Sequence, residues 1–373
     1  MRKNVAVFFG GKSCENEISV VTGIMACNLI DPSRFAVFPV YIAQDGALWT
    51  GEKLLDASAY RGDFARAFTP AALAGGKLYA LRGHRMRELC APDCALNCCH
   101  GTGGEDGCVP ALLALNGIPS ASPDMAPSAL FMDKSATKLA AKALGVRTLP
   151  WLRVAQANYK KRGKMAIRCV EERLGYPVIV KPAHLGSSIG ISVAEDRARL
   201  TYALEAAFAY DGVALAEQYL PERREINIAC YRRGDELVLS ACEEPKTSHR
   251  ILTFADKYLE GGKERSADFP AQLAPAAAER IRSYTKLLYR RTDLRGIVRA
   301  DFLLSGQDVY FNEMNTVPGA LAWYLFCKKL SDFTEVLTVL IEQGICDFRD
   351  GASRKLLKNC GVLCAVPRGK ARR

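Results

Sequence analysis

No stretch of apolar residues in the 373-residue chain approaches the roughly 18–20 residues that a membrane-spanning helix needs. The first apolar run is too short for a signal peptide and turns polar at once. We therefore expect a cytoplasmic protein with no membrane partner. The 14 cysteines are scattered over a long chain, which predicts reduced and mostly buried thiols rather than a disulfide framework.

The cysteine-rich segment CAPDCALNCCH lacks the regular spacing of a structural zinc site. Structural zinc sites use two separated pairs of ligands, whereas Ala95 and Leu96 interrupt this run between Cys90 and Cys99. The segment is typical of a buried strand that leads to a glycine loop. Strand thiols are therefore the preferred interpretation, and a metal site is the alternative.

Acidic residues are missing from the last 23 residues, which carry seven lysines and arginines. This tail accounts for most of the formal net charge of +11 and leaves +4 for the other 350 residues. A basic tail is usually solvated, so we predict that residues 349–373 are partly disordered. With no zinc-finger spacing and no RNP-like aromatic motif, nucleic acid is not an expected partner.

Strand and helix patterns divide the remaining chain into three units without internal repeats. Residues 1–133 alternate predicted strands and helices, which favours a parallel α/β domain with ligands at the carboxyl ends of its strands. Residues 134–225 read as a compact α+β unit whose first helix is capped by Asp133. Residues 226–348 read as a third unit that ends in a strand pair over residues 296–315.

The P-loop motif for phosphate is incomplete, because Ala6 stands where its first glycine is required. Another phosphate signal lies in VIVKPAHLGSSIG, where Lys181 ends a strand and a small loop follows. The lysine can place its ammonium group on a phosphate, and the hydroxyl groups of Ser187 and Ser188 can reach anionic oxygens. A surface turn with a solvated lysine is the alternative.

Two strands late in the chain place oxygen ligands on one face. Arg299 and Asp301 lie two residues apart, as do Glu313 and Asn315, so each pair faces one side of its strand. The short turn SGQD would set the two strands side by side. Two carboxylates and a carboxamide suit Mg²⁺ that bridges to nucleotide phosphates, and the arginine can stabilise transition-state charge. A buried salt-bridge cluster, the alternative, does not explain why these acids end at the NTVPG loop.

Seven motifs occur in a fixed order along the chain: GGKSCENEIS, HGTGGEDG, MDKSATK, VIVKPAHLGSSIGIS, DKYLEGG, VRADFLL and FNEMNTVPG. Together they resemble the ATP-grasp ligases, and specifically the D-alanine–D-alanine ligases, over residues 1 to about 348. The resemblance implies an ATP-grasp fold with an N-terminal parallel α/β domain, the pre-ATP-grasp domain. It also implies that ATP is held between the sheets of the central and C-terminal domains.

The resemblance further implies a set of nucleotide and metal contacts. Lys181 resembles the nucleotide lysine, and GSSIG resembles a flexible loop that closes over the β- and γ-phosphates. AEQYL resembles the adenine hinge. Glu225 resembles the ribose ligand that follows the hinge, and it lies one residue further along than in the family. The implied ATP contacts are Lys134, Lys181, Ser188, Glu217, Leu220, Glu225 and Lys257. Asp301, Glu313 and Asn315 resemble the ligands of two Mg²⁺ ions, for which Mn²⁺ is an alternative.

Amino-acid substrates are assigned by the same resemblance. Glu15 would anchor the ammonium group of the first D-alanine, and His100 would lie near the carboxylate of that substrate. Arg299 and the backbone N–H of Gly319 would form the oxyanion site.

The implied reaction has two steps inside closed lids. ATP phosphorylates the carboxylate of the first D-alanine, and the amine of a second amino acid attacks the acyl phosphate. Arg299 and Mg²⁺ would stabilise the tetrahedral intermediate, while a hydrogen-bonded trio of Glu15, Ser187 and Tyr258 holds the lids shut. Closure matters because water would hydrolyse the acyl phosphate.

The segment ALAWYLF after NTVPG departs from the family pattern. Tyr324 and Leu325 stand where the family has a Ser-Leu pair that contacts the carboxylate of the second substrate, and Leu185 replaces a frequent acidic residue. Three interpretations follow: a D-alanine–D-alanine ligase for peptidoglycan synthesis, a ligase that accepts D-serine or another D-amino acid, and a non-catalytic nucleotide-binding module. The third predicts loss of Arg299 or of a metal ligand, and all of these residues are present. A homodimer is expected from the resemblance alone.

Overall fold

In the computed structural model, which describes residues 2–61, 64–246 and 267–353, the first sheet has seven strands. They are β1 (Lys3–Gly10), β2 (Phe35–Ile42), β3 (Leu48–Thr50), β4 (Thr69–Ala74), β5 (Lys77–Arg82), β6 (Arg85–Cys90) and β7 (Cys94–Asn97). Strand β1 pairs in parallel with β2 and β7, as the sequence predicted. Strands β3–β6 add an antiparallel extension that the sequence analysis did not predict. Gly75 and Gly76 turn between β4 and β5 with φ of 57° and 79°, which suits a two-residue hairpin.

Four α-helices are described in this part of the chain, and all four residues of the edge strand β7 are buried. The helices are α1 (Asn16–Leu29), α2 (Phe64–Ala67), α3 (Cys108–Leu115) and α4 (Met125–Met132). Helix α1 approaches β1 so closely that a Cβ on Gly23 would lie 2.2 Å from the ring of Phe9. The short connection 11–15 puts the N-terminus of α1 at the carboxyl end of β1, where ligands bind in parallel sheets.

The second sheet has four antiparallel strands in the order β10–β9–β11–β8. Its strands are β8 (Trp151–Ala155), β9 (Val178–Pro182), β10 (Ser192–Ala194) and β11 (Val213–Gln218), and the helices beside it are α5 (Lys134–Ala143), α6 (Gln156–Leu174) and α7 (Arg197–Phe208). Asp133 caps α5 by accepting hydrogen bonds from the N–H groups of Ser135 and Ala136, which confirms the predicted cap. All five residues of β9 are buried, including a lysine.

The third sheet carries the predicted oxygen ligands. Its elements are β12 (Arg224–Arg233), β13 (Glu236–Leu239), β16 (Val298–Ser305) and β17 (Asp308–Asn315), with a separate ladder of β14 (Glu244–Pro245) and β15 (Ala267–Asp268) and the helices α8 (Pro275–Arg291) and α9 (Phe333–Ala352). Strands β16 and β17 form the predicted hairpin, in which Arg299 lies opposite Asn315 and Asp301 opposite Glu313. This register brings all four side chains to one end of the hairpin.

Helix α9 returns the chain to the first sheet. Its residues Leu337 and Ile341 share an apolar core with Phe9 of β1 and with Ile30 after α1. The predicted domain boundaries at residues 133, 225 and 348 stay predictions. Among the described residues, no helix is both long enough and apolar enough to cross a membrane.

Candidate functional site

Lys181 is a buried lysine on β9, with 7% of its surface exposed. Its Nζ donates a hydrogen bond to Glu217 Oε2 at 2.9 Å and another to Asn312 Oδ1 at 3.1 Å. Glu217 lies on the neighbouring strand β11, whereas Asn312 lies on β17 of the third sheet. The ammonium group that the sequence assigned to a phosphate therefore lies where the second and third sheets meet.

A second buried lysine, Lys138 on α5, contacts the other carboxylate oxygen of Glu217. Lys138 was not predicted as a site residue, although it lies four residues after Lys134 and hence on the same helix face. Burial alone would raise the pKa of Glu217, but the two lysines outweigh it and lower the pKa. Burial lowers the pKa of Lys138. Two lysines contact one carboxylate, and this excess of positive charge favours an anion.

The loop that follows β9 is held by its own set of contacts. Lys134 Nζ donates to the carbonyl oxygen of Leu185 at 2.7 Å and lies 3.9 Å from Glu313 Oε2. Ser187 and Ser188 adopt left-handed backbone with φ of 53° and 59°. Such backbone costs a non-glycine residue about 1–2 kcal/mol, and it clusters at loops whose shape serves a ligand.

Glu15, just before α1, is the residue that this loop contacts from across the site. Its Oε1 accepts a hydrogen bond from Ser187 Oγ, so Glu15 and Ser187, two members of the predicted trio, are hydrogen-bonded. Glycines surround the carboxylate, because a Cβ on Gly101 would lie 2.7 Å from Glu15 Oε2 and one on Gly186 would lie 3.1 Å from it. Tyr258 and Lys257 lie outside the described residues.

His100 is buried and hydrogen-bonded through both ring nitrogens. Nδ1 lies 2.9 Å from the carbonyl oxygen of Val317, and Nε2 lies 2.9 Å from Thr22 Oγ1. Because a carbonyl only accepts, Nδ1 carries the hydrogen and Nε2 accepts from the threonine in the neutral ring. Burial lowers the pKa of His100 to about 4, against the effect of the Val317 carbonyl and with help from Arg299. A contact between His100 and a substrate carboxylate stays a prediction.

Glu105, within the HGTGGEDG motif, received no role from the sequence. Its two carboxylate oxygens accept hydrogen bonds from the backbone N–H groups of Gly101, at 2.8 Å, and Val317, at 3.2 Å. Burial and the neighbouring Glu15 raise its pKa, although the two N–H groups and Arg299 oppose the shift. The side chain therefore connects the loop after β7 with the loop after β17.

Arg299 and two of the predicted metal ligands, Asp301 and Asn315, form one hydrogen-bonded group on β16 and β17. Arg299 binds Asp301 with two parallel hydrogen bonds, from Nε at 2.7 Å and Nη2 at 2.8 Å, and Asn315 Nδ2 donates to Asp301 Oδ2 at 3.0 Å. Among the described residues, no group of three or more His, Cys, Asp and Glu side chains is arranged to hold a metal ion. The predicted set has only two carboxylates beside a carboxamide, which fits Mg²⁺ that takes its remaining ligands from phosphates and water.

A cavity of about 330 Å³ opens between the second and third sheets. Tyr219, Glu225 and Lys246 are among the residues that line it, and Leu220 of the predicted adenine hinge directly follows Tyr219. Arg223, which the sequence analysis did not identify, lies over the Tyr219 ring at 4.8 Å. It also donates to the Leu220 carbonyl and to Glu225 Oε1, both at 3.1 Å. Arg223 therefore holds the hinge next to Glu225, the stretch in which the spacing is one residue longer than in the family.

The segment Gly319–Leu325 turns with an unusual backbone. Ala320, Leu321 and Ala322 have consecutive φ values of 48°, 52° and 51°. Leu325 is buried in an apolar cluster with Ala229 and Ala322, so its side chain stabilises this turn. Tyr324 is half-buried at the edge of the same cluster.

The cysteine-rich segment is apolar in the structure. Cys90, Cys94, Cys98 and Cys99 are buried and unbridged. Burial raises the pKa of these thiols, to about 12 at Cys94. They therefore behave as packed strand-end side chains, in line with the preferred interpretation.

Family models match most of the chain. The model described as D-ala D-ala ligase N-terminus matches residues 4–123, and the one described as D-ala D-ala ligase C-terminus matches residues 140–343. A D-alanine–D-alanine ligase from Thermosipho melanesiensis is 32% identical over 354 residues, which cover 93% of this chain and 95% of that protein.

Solved structures share the fold. The D-alanine-D-alanine ligase from Helicobacter pylori superposes with a TM-score of 0.76 at 28% identity, over 91% of this chain and 98% of that chain. The VanG D-Ala:D-Ser ligase from Enterococcus faecalis has a TM-score of 0.77 at 24% identity, over 91% and 100% of the two chains, which shows the fold alone. The predicted ATP-grasp fold, of mixed α/β and α+β class, is confirmed.

Proposed function

Because the chain belongs to the D-alanine–D-alanine ligase family, we propose that it uses ATP to join two D-alanine molecules for peptidoglycan synthesis. One observation on β17 carries the proposal. Asn312 of this strand contacts the buried Lys181, and its neighbour Glu313 lies opposite Asp301 in the hairpin. A phosphate-binding lysine and two carboxylates thus meet along one strand, as nucleotide phosphates and a divalent cation require.

ATP is proposed to bind between the second and third sheets. The cavity at Tyr219 and Glu225 suits the adenosine, and the excess positive charge at Lys181 and Lys138 suits the phosphates. Lys134 and the hydroxyl group of Ser188 are proposed as further phosphate contacts. Glu217 acts by holding both buried lysines in place, because one oxygen of its carboxylate contacts each of them.

Mg²⁺ ions are proposed to be held by Asp301, Glu313 and Asn315, with Mn²⁺ as a substitute. Bound there, the metal would offset the charge on the phosphate oxygens. Arg299 pairs with Asp301 in the structure, so a cation at Asp301 would compete for that carboxylate. The competition would leave the guanidinium available for the developing oxyanion.

The reaction is proposed to proceed by two group transfers. An oxygen of the first D-alanine carboxylate attacks the γ-phosphorus of ATP, so that ADP leaves and an acyl phosphate forms. The amine of the second D-alanine then attacks the acyl carbon and loses a proton, and inorganic phosphate leaves. Arg299 and the N–H of Gly319 would stabilise the tetrahedral oxyanion.

Substrate capture is proposed to depend on Glu15 and on the loop after β9. Glu15 would bind the ammonium group of the first D-alanine, and its hydrogen bond with Ser187 closes the loop over the site. Tyr258 and Lys257 would complete the closure from outside the described residues. A closed site protects the acyl phosphate from water.

The identity of the second amino acid, the acceptor, has an alternative. Tyr324 replaces the serine that the family uses, and the side chain of Leu325 packs in a buried apolar cluster. A ligase with D-serine or another D-amino acid as acceptor is therefore the second candidate. A cytoplasmic location and a homodimer are proposed from family membership alone.

The test is turnover of ATP with Mg²⁺ and D-alanine, followed by mass spectrometry of the product. We expect D-alanyl-D-alanine from D-alanine alone. The Arg299→Gln variant should lose about 10²–10³-fold in kcat, as expected when an oxyanion donor is removed. Arg197→Gln, a change at an exposed arginine that pairs with Glu171, should keep full activity.

Other outcomes would overturn parts of the proposal. Dipeptide formed only when a second amino acid is added would move the function to the acceptor alternative. Nucleotide binding without product from any acceptor would replace catalysis by a binding role.

A further inference from the structure

We propose that Glu105 is a positioning residue that clamps the peptide at Val317 and so sets the oxyanion site relative to the first-substrate site. The inference rests on the proposed function, since it gives Glu105 a part in that same reaction. It is carried by hydrogen bonds that join two loops far apart in sequence.

The backbone of Val317 is held on both sides by the loop that follows β7. Its N–H donates to Glu105 Oε1 at 3.2 Å, and its carbonyl oxygen accepts from His100 Nδ1 at 2.9 Å. The other oxygen of Glu105 accepts from the N–H of Gly101 at 2.8 Å. A carboxyl oxygen keeps a lone pair for an N–H donor in either protonation state, so the bridge persists when Glu105 is neutral.

The clamp lies between the two halves of the reaction. Val317 follows Asn315 by two residues and precedes Gly319 by two, so it connects a proposed metal ligand to a proposed oxyanion donor. Gly101, at the other end of the bridge, packs against Glu15. Displacement of either loop would change the distance from the ammonium-binding carboxylate to the oxyanion donor. A displacement of about 1 Å can cost 10²-fold in rate.

The next residue in the same motif offers a matched control. Asp106 also accepts two backbone hydrogen bonds, from Gly103 at 2.7 Å and from Cys108 at 3.0 Å. Both of these donors lie within the same loop and the start of α3. Asp106 therefore shapes its own loop, whereas Glu105 reaches a segment 212 residues away.

The experiment compares Glu105→Gln with Asp106→Asn in the full-length protein. The Gln side chain keeps one acceptor oxygen and presents an NH₂ group to the second donor, so one bridge bond is lost. We expect kcat for dipeptide formation to fall about 10–100-fold in Glu105→Gln, while KM for ATP stays within about twofold. Asp106→Asn should keep kcat within about threefold.

A second readout does not depend on activity. Hydrogen exchange of the peptide that contains residues 315–321 should be roughly fivefold faster in Glu105→Gln than in wild type, because a hydrogen bond worth about 1 kcal/mol is lost. The peptide should be unchanged in Asp106→Asn. If Glu105→Gln does not fold, His100→Leu is the substitute variant: it removes the bond to the Val317 carbonyl and should accelerate exchange of the same peptide.

The outcomes separate the inference from the function on which it rests. Wild-type protein that makes no dipeptide would remove the proposed function. An active wild type with unchanged kcat and exchange in Glu105→Gln would remove only the clamp. An equal loss in Asp106→Asn would reduce Glu105 to a loop-stabilising role and would also overturn the inference.

Discussion

At the scale of single residues, burial decides what the ionisable groups can do. Glu217 is 1% exposed and stays charged because Lys138 and Lys181 contact its two oxygens. Removal of either lysine would leave part of a buried charge without compensation, which is costly. His100 shows the opposite effect, because its ring nitrogens contact a hydroxyl group and a carbonyl oxygen, and burial keeps the ring neutral.

The depressed pKa of His100 predicts a stability loss in acid. The unfolded histidine titrates near 6.5 and the folded one near 4, so the unfolded state binds more protons between these values. The free energy of unfolding should therefore fall as the pH drops from about 6.5 to 4, by about 3 kcal/mol at most. Denaturant unfolding at several pH values measures the free energy of unfolding. The His100→Asn variant should show a smaller slope of this free energy against pH. An unchanged slope in that variant would contradict the prediction.

Residue-level prediction from sequence worked where a strand fixes the spacing. Arg299, Asp301, Glu313 and Asn315 were predicted to share a face because side chains alternate along a strand, and the hairpin register confirms it. Asn312 was missed, since its contact with Lys181 joins strands of different sheets.

Two charged residues show where that limit lies. Lys138 was open to prediction, because it repeats Lys134 one helical turn later. The role of Glu105 could not be predicted, because the sequence does not indicate that its loop contacts Val317.

At the scale of elements, the turn at Ala320–Ala322 is unusual. Three consecutive left-handed residues without glycine follow Gly319, and each L side chain there crowds its own backbone. The buried Leu325 and the neighbouring Ala229 hold the turn in place. Strain of this kind is kept when the surrounding structure determines the backbone.

Ala320→Gly should relieve part of this strain. Glycine adopts positive φ without a Cβ clash, which outweighs its greater freedom in the unfolded chain, so we expect a gain of about 0.5–1 kcal/mol in unfolding free energy. Ala278→Gly, inside α8, should instead destabilise by about 1 kcal/mol. Thermal or denaturant unfolding of both variants provides the measurement. A loss of stability in Ala320→Gly would show that the alanine methyl group is needed there.

The first sheet shows why element prediction was incomplete. Its parallel strands β1, β2 and β7 were predicted from alternation with helices. Strands β3–β6 carry no intervening long helix and are short, so the same rule did not apply. Their antiparallel pairing follows from tight turns such as Gly75–Gly76.

At the scale of the whole molecule, the candidate site is assembled from three sheets. Glu15 and His100 come from loops of the first sheet, Lys181 and Glu217 from the second, and the hairpin with the proposed metal ligands from the third. The hydrogen bond from Lys181 to Asn312 joins the second and third sheets beside the proposed phosphate position. A ligand that fills this junction should stabilise all of these contacts together.

A non-hydrolysable ATP analogue should therefore raise the melting temperature. At 100 times its Kd, a ligand that binds only the folded state contributes about 2.7 kcal/mol. Lys181→Met should remove most of the rise, because the charge between the two sheets is lost. Lys77→Met, at an exposed lysine that pairs with Glu88 on a distant hairpin, should keep it. Differential scanning calorimetry with and without the analogue decides, and an equal rise in both variants would contradict the assignment.

The late position of the β16–β17 hairpin also matters during synthesis on the ribosome. The lysines proposed to bind phosphate, Lys134, Lys181 and Lys257, are all made before Arg299, Asp301 and Glu313. On the proposed function, a nascent or prematurely terminated chain carries the residues that hold nucleotide but none that act on the transferred phosphate. A fragment that ends before Arg299 would therefore not consume ATP.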